Sequence, residues 1–316
     1  MTDVVALGEL LIDFTCVSAD ADGYPTMAAH PGGAPANFLA ALAKFGARTA
    51  LLGKVGTDAF GKLLTGTLEA AGIETRGLVA AEDVFTTLAF VTLDDTGNRE
   101  FSFARKPGAD TCLSFGEIDL SLIDEAKVFH FGTLSLTDEP ARSATCEAVA
   151  YAKSRGKLIT YDPNLRKPLW KDPEQAKEQL LWGLSQADVV KISDEEVEFL
   201  FGLGAEAGAR HILEHYGVKL VFVTCGADGC FFKNAVAEGH VPSLSGIEVI
   251  DTTGAGDIFG GSAVWKLLQL DKAPETLSGE ELREIVTFAC TAAGLSTTRP
   301  GGISSVPECK EVLERM

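Results

Sequence analysis

From residue 126 to residue 224 the chain repeats one pattern, a short apolar run followed by a stretch with apolar residues at helical spacing. Runs 128–131, 158–162, 189–192 and 220–224 read as strands; 139–155, 174–186, 194–200 and 205–215 read as helices. Successive parallel strands need long crossovers, which helices supply. The alternation therefore predicts a doubly wound α/β fold, a mainly parallel sheet with helices on both faces. The run 4–14 is nearly all apolar, as a strand covered on both faces must be, and 49–56 reads as another strand. Open sheets of this kind bind ligands beyond the carboxyl ends of their strands, so polar residues at those positions are the functional candidates.

Residues 86–103 break the pattern. Two alternating runs flank Asp94-Asp95-Thr96-Gly97-Asn98, which is a β-hairpin signal. Two strands alone are marginal. With partners from the irregular stretch 12–31, segment 86–105 is expected to form a small β lid on a single domain spanning 1–316. Phe103 and Arg105 then face a ligand below it. Asp13 falls at the carboxyl end of the first strand.

The 316 residues are 46% hydrophobic, and no apolar run is long enough to span a bilayer. The start, Met1 to Val5, carries no export signal, and the expected location is the cytoplasm. Seven scattered cysteines without a Cys-x-x-Cys pair read as reduced thiols rather than a disulfide framework or zinc site. A net charge of −18 argues against a nucleic-acid partner. It leaves room for a small phosphorylated ligand, held locally by backbone N–H groups and one or two basic residues. His211 and His215 lie four apart on a helix, but without the Glu of H-E-x-x-H they read as a solvated face.

Two glycine-rich turns compete as anion sites. Gly56-Thr57-Asp58-Ala59-Phe60-Gly61-Lys62-Leu63 nearly spells a phosphate-binding loop, but Leu63 stands where a magnesium-binding Ser or Thr is required. It is taken as a strand–helix turn, with Leu63, Leu64 and Leu68 forming a buried helical face. Asp251-Thr252-Thr253-Gly254-Ala255-Gly256-Asp257 follows 247–250, which alternates as a strand, and precedes a helix. Glycines there let bare N–H groups approach a ligand, and the helix dipole favours an anion. Asp257 either caps the helix or serves as a general base beside the bound anion. Upstream, Gly32-Gly33 opens a helix carrying Asn37, a donor and acceptor for a hydroxylated ligand. Other polar clusters follow strands: Asn164 and Arg166, Ser193 and Glu196, and Thr224, Gly226 and Gly229. Cys290 sits on a small-residue helix against which a flat group can pack. Arg166 offers a planar fork to phosphate, and Glu196 a carboxylate to hydrated magnesium.

Two separated motifs in fixed order, Gly32-Gly33-Ala34-Pro35-Ala36-Asn37 through Gly61 and Asp251 through Asp257, carry a resemblance. The chain resembles the ribokinase-type (PfkB) carbohydrate kinases over essentially its whole length. The resemblance implies a ribokinase-like fold with a β lid, often used in dimers, and transfer of the γ-phosphate of ATP to a primary sugar hydroxyl. It implies Asp257 as base, and Gly254, Ala255 and Gly256 as the anion hole. Asp13, Gly32, Gly33, Asn37, Phe103, Arg105 and Arg166 would bind the sugar. Asn164, Ser193, Thr224, Gly226, Gly229, Thr253 and Cys290 would lie on the nucleotide side. Glu196 would hold Mg2+ through water, although Ser193 replaces the Asn of the family's N-x-x-E motif. Asp251, Thr253, Gly301 and Ser305 would surround a monovalent cation such as K+. Phe103 to Asp110, Phe131 to Ser135, 162–170 and Lys191 to Glu196 look most like fructokinases. A 2-keto-3-deoxygluconate kinase, another ribokinase-family kinase, or a non-catalytic sugar sensor on the same fold are the alternatives.

Overall fold

The computed structural model describes residues 2–93 and 99–316. The hairpin turn expected at 94–98 lies outside the described residues. Among them, fourteen strands run in chain order: β1 Val4–Leu7, β2 Leu11–Ala19, β3 Pro25–Gly32, β4 Thr49–Gly56, β5 Ile73–Glu74, β6 Leu78–Ala81, β7 Leu88–Leu93, β8 Arg99–Ala104, β9 Val128–Gly132, β10 Leu158–Asp162, β11 Val189–Ser193, β12 Leu220–Thr224, β13 Cys230–Asn234 and β14 Glu238–Val241. The helices are α1 Ala34–Lys44, α2 Ala59–Ala70, α3 Leu120–Glu125, α4 Ala141–Ser154, α5 Pro173–Gln186, α6 Asp194–Phe201, α7 Ala205–Tyr216, α8 Ala255–Leu270, α9 Gly279–Ser296 and α10 Cys309–Leu313.

The main sheet has the order β14-β13-β12-β11-β10-β9-β1-β4-β5, with β6 also on β4. From β5 to β12 every pairing is parallel; β13 and β14 add an antiparallel edge. Strand periodicity decides what each face buries. Val5 and Leu7 of β1, Phe129 and Phe131 of β9 and Val190 and Ile192 of β11 pack with Leu122, Ala148, Leu180, Val197 and Ile212 of α3–α7. The alternate residues Val4, Ala6 and Leu51 pack with Leu39, Leu64, Ile258 and Phe288 of α1, α2, α8 and α9. These core side chains are fully or almost fully buried, and each Val, Leu, Ile or Phe among them contributes about 1.5–3 kcal/mol. A doubly wound fold is thus the arrangement that covers both faces.

A second sheet, β3-β2-β7-β8, comes from the two segments expected to form a lid. β2 pairs antiparallel with β3 and parallel with β7, and β7 pairs antiparallel with β8. The irregular stretch at 12–31 is in fact two strands joined by a turn at 20–24, with a register shift between Cys16 and Ser18.

Three local expectations are corrected. The run 4–14 is two strands rather than one. The chain leaves the main sheet after Leu7 and enters the second sheet at Leu11, so Asp13 lies inside a strand of the second sheet and not at a carboxyl end. Residues 247–250 form no strand. The N–H groups of Ile250 and Asp251 donate to the Thr297 carbonyl (2.8 and 3.1 Å) at the end of α9 instead of to a strand, and Val249 and Ile250 are exposed. Leu63 is 45% exposed while Leu64 and Leu68, one turn apart on the same face, are buried; Leu63 is turned about 100° from Leu64, toward solvent.

Candidate active site

The turn entering α8 is built by one carboxylate. Asp251 Oδ1 accepts from the Thr253 N–H (2.9 Å) and hydroxyl (2.7 Å), and its Oδ2 accepts from the Gly301 N–H (2.9 Å). This ties 251–253 to the segment after α9. Gly254 then adopts φ 75°, a left-handed conformation, and a methyl group there would fall 2.9 Å from Gly302 Cα. No side chain caps α8 at Gly254. The first N–H groups of a helix have no intrahelical partners; that of Ala255 makes only a 3.3 Å contact with the Thr252 carbonyl.

Asp257 is the third residue of α8 and does not cap it. It is buried, and its Oδ2 accepts from Asn37 Nδ2 (2.9 Å) across the interface of α1 and α8. Burial pushes its carboxyl above the usual carboxylate range, opposed by the Lys191 ammonium, the Asn37 hydrogen bond and Arg166. Asn37 is fixed by the turn before it. Gly33 has φ 118°, and a side chain there would meet the Glu9 carbonyl at 2.5 Å. The Glu9 carboxylate takes the place of a helix cap, accepting from the Ala34 N–H (3.0 Å) at the start of α1. Burial raises Glu9 to about 7. Asn37 Oδ1 is buried without a hydrogen-bond partner and packs against Gly302, where a methyl group would fall 2.2 Å away.

A cavity of about 1090 Å³ lies between the second sheet and this turn. Of the residues expected at a sugar, Asp13, Gly33, Asn37, Phe103 and Arg166 line it. Asn164, Asp251, Thr253, Gly254, Asp257 and Gly301 line it as well. Gly32 stands behind Asp13: a methyl group there would fall 2.2 Å from Asp13 Oδ2. Burial raises the Asp13 carboxyl to about 6; Arg166 opposes the shift, and the charges of Asp257 and Asp251 add to it. Arg105 is not at the cavity surface. Its guanidinium is buried and pairs with Asp110 (2.8 Å), Thr137 Oγ1 (2.7 Å) and the Leu134 carbonyl (2.8 Å), so it braces the wall behind the cavity.

The residues expected on the nucleotide side divide. Ser193 and Thr224 are register partners at the carboxyl ends of β11 and β12, away from the cavity lining, and Gly226 and Gly229 form the tight turn from β12 into β13. Cys290, on α9, packs with Cys230 in the core beside that turn. Glu196 is buried in a capping box at the start of α6. One oxygen accepts from the Leu165 N–H (2.7 Å) and the other from the Ser193 N–H (2.8 Å). Ser305 is buried, its hydroxyl donating to the Gly302 carbonyl (2.8 Å). Two charged residues beside the site were given no role from the sequence: Glu9, which also lines the cavity, and Lys191, which pairs with Asp162 (3.0 Å). The available signal was a charge inside an apolar strand pattern, which burial makes costly unless it is paired. His211 and His215 stack on each other at 4.2 Å on α7, and no group of three or more metal-binding side chains occurs among the described residues. No helix among them is long and apolar enough to cross a membrane.

Residues 1–309 match the pfkB family carbohydrate kinase family. The chain is 40% identical over 315 residues to Fructokinase-2 of Solanum habrochaites, covering 98% of this chain and 94% of that one. The structure superposes on that of a fructokinase with bound ATP from Xylella fastidiosa with a TM-score of 0.90 at 31% identity, covering 99% and 98% of the two chains. It also superposes on a Vibrio cholerae O395 fructokinase in fructose, ADP and calcium ion bound form, with a TM-score of 0.86 at 30% identity and coverage of 100% and 99%.

Proposed function

The chain belongs to the pfkB family of carbohydrate kinases, and on that premise we propose that it transfers the γ-phosphate of ATP to a primary hydroxyl of fructose. The observation that carries the proposal is the placement of Asp257. A buried carboxylate, oriented by Asn37, stands at the uncapped start of α8 and on the wall of the cavity under the second sheet. A carboxylate beside an anion cradle repels phosphate unless it takes part in the reaction, and removing a proton from the attacking hydroxyl is that part.

The sugar occupies the cavity, where Asp13 and Asn37 meet its hydroxyls and Phe103 and Arg166 bound it. Its primary hydroxyl oxygen attacks the γ-phosphorus as its proton passes to the Asp257 carboxylate. The bond from the γ-phosphorus to the bridging oxygen breaks, and the electron pair leaves with ADP. The N–H groups of Gly254, Ala255 and Gly256 face the charge on the transferring group, and the lid excludes the water that would otherwise hydrolyse ATP. The nucleotide lies along the carboxyl ends of β11 and β12, by Ser193, Thr224, Gly226 and Gly229, with Cys290 behind it.

Glu196 suits a role beside hydrated Mg2+. It is held rigid by two N–H donors, and each oxygen keeps a second lone pair for a metal-bound water. When bound, the ion neutralises phosphate charge. For K+, Asp251, Thr253 and Gly301 converge on one side of the turn, with Ser305 packed beneath. The lid is the proposed meeting surface of two copies, since Val17 and Tyr24 of its β2–β3 hairpin are exposed; sedimentation as a monomer at all concentrations would exclude this.

Arg105 bears on the choice of sugar. Two arginines at the acceptor would suit the carboxylate of 2-keto-3-deoxygluconate, but Arg105 is committed to Asp110, which favours an uncharged sugar. The test is an assay of the purified chain with ATP, MgCl2 and KCl against fructose, 2-keto-3-deoxygluconate, ribose and a nucleoside, following ADP release. Fructose is expected to give the highest kcat/KM, with phosphate on a primary hydroxyl. A preference for the keto-deoxy acid would replace the substrate, and sugar binding without sugar-dependent ADP release would make the protein a sensor.

A further inference from the structure

Lys191 belongs to no part of the mechanism above. It projects from β11 with its side chain 13% exposed, and its ammonium pairs with Asp162 Oδ2 (3.0 Å), itself buried at the end of β10. It also touches the anion turn. A methyl group at Gly256 would fall 2.9 Å from Lys191 Nζ, the nearest atom such a group would meet. The glycine thus leaves an opening in the helix start, and the ammonium fills it from the sheet side.

We infer that Lys191 is a charge-positioning residue for phosphoryl transfer: through the opening at Gly256 its ammonium stands behind the N–H cradle of α8 and holds Asp257 as a carboxylate.

Three observations support the assignment. A buried lysine is costly unless its charge is matched. Asp162, Glu196 and Asp257 all act on this one, from β10, α6 and α8. The groups facing Asp257 are Lys191, Asn37, Arg166, Glu196, Asp162 and Asp13, and among the charges that keep it ionised the lysine acts most strongly. His130, stacked on Phe38 next to this group, is held neutral by burial and by Lys191, so it supplies no competing positive charge. Finally, Asp162 Oδ1 accepts from the Asn164 N–H (3.2 Å) in the loop leading to Arg166. The pair therefore anchors the strand end that carries Asn164 and Arg166 to the cavity. Charge preorganised beside a developing anion, away from water, is the strongest electrostatic aid to this kind of transfer.

The inference rests on the kinase reading, and the experiment separates the two. Full-length Lys191→Met, Lys191→Arg and Gly256→Ala, with the pair Asp162→Asn and Lys191→Met/Asp162→Asn, are assayed with ATP and fructose. Lys191→Met is expected to lower kcat about 10- to 100-fold with the fructose KM changed less than about threefold. The acid limb of its pH–kcat profile moves to higher pH, because the ammonium that favours the Asp257 carboxylate is gone. Lys191→Arg recovers part of the loss. Gly256→Ala, which moves only the flexible lysine head and suits a helix, keeps or raises Tm while lowering kcat. If Lys191→Met fails to fold, the double variant decides, since it removes the Asp162 carboxylate together with the ammonium it pairs with. A folded double variant with kcat within about threefold of Asp162→Asn overturns the inference. If the native chain releases no ADP with any sugar, the kinase reading fails. The inference is then read from the 13C carboxyl titration of Asp257: an upward move in the double variant relative to Asp162→Asn supports it, and an unmoved titration overturns it.

Discussion

The turn into α2 and the turn into α8 both enter a helix through glycines and an aspartate, yet only the second opens onto the cavity. In the first, Asp58 is the N-cap. Its Oδ1 accepts from the Phe60 and Gly61 N–H groups (2.9 and 3.1 Å), and its Oδ2 accepts from the Thr86 N–H and hydroxyl (both 2.8 Å). The helix start is thereby closed to any anion. The glycines serve packing: a methyl group on Gly61 would fall 1.8 Å from the Gly56 carbonyl. In the second turn the aspartate stands three residues further on, the cap is a left-handed glycine, and no side chain reaches back. The two carboxyls diverge accordingly. Burial raises Asp58, but its four donors outweigh burial and hold it below its ordinary value, whereas burial prevails at Asp257 and holds it above. A carboxylate in a cap is a spent acceptor; one that misses the cap keeps the capacity to take a proton.

The sharpest way to break this contrast is Asp257→Asn. It keeps the shape and the contact with Asn37 but removes the proposed base. We expect kcat to fall by about 10³- to 10⁴-fold, near the upper range for general-base loss, with ATP and fructose binding within about threefold by calorimetry. Retained turnover would reduce Asp257 to a structural acid like Asp58. Next in size is Gly254→Ala. A side chain in the left-handed region costs about 1–2 kcal/mol, and here its methyl would also press on Gly302 and Asn37. We expect kcat to drop about 100-fold with only a modest loss of Tm, since the N–H cradle and the Asn37–Asp257 bond shift together. Asp58→Ala should do the reverse. It should cost about 2 kcal/mol in urea unfolding while leaving kcat and the ATP KM within about twofold. A large rise in the ATP KM there would mean that the first turn, too, holds phosphate.

The contrast was partly legible in the sequence. Leu63 in place of a Ser or Thr excluded the first turn as a phosphate loop, and the alternation of strands and helices gave the main sheet. What remained hidden was long-range. Nothing local to residues 4–14 says that the chain changes sheets at Gly8 to Leu10, because both halves are buried and apolar, and so Asp13 was expected at a strand end when it sits in the second sheet. Residues 247–250 alternate like a strand, but their backbone partner is a carbonyl nearly fifty residues away. Arg105 looked like a ligand residue because its partner, Asp110, gives no sign in sequence that it is buried beside it. The charges at Glu9 and Lys191 interrupt apolar runs, and a costed burial would have found them. Their partners could not be known before the sheet order.

The smallest effect concerns Asp13, which extends the contrast from the turns to the second sheet. Like Asp257 it is an acid that burial pushes up, to about 6, but it faces the cavity and has Arg166 as its main opposing charge. An ionised Asp13 only accepts hydrogen bonds, as a sugar hydroxyl requires, and a protonated one offers a hydrogen where the hydroxyl also has one. As pH falls through about 6, the fructose KM is expected to rise several-fold with an inflection there, while ATP binding, remote from Asp13, stays flat. Stability runs the other way. The folded-state value lies above the unfolded one near 3.9, so the native state binds this proton more tightly, and the contribution of Asp13 to stability is present below pH 4 and lost as pH rises through about 6. Asp13→Asn should abolish the inflection in KM and remove this decline. Because binding improves over the same interval in which the Asp13 contribution to stability falls, a shared origin can be recognised: both curves must lose their inflection in the same variant. If the KM inflection survives Asp13→Asn, the titrating group is elsewhere in the cavity, with Glu9, raised to about 7, the next to test.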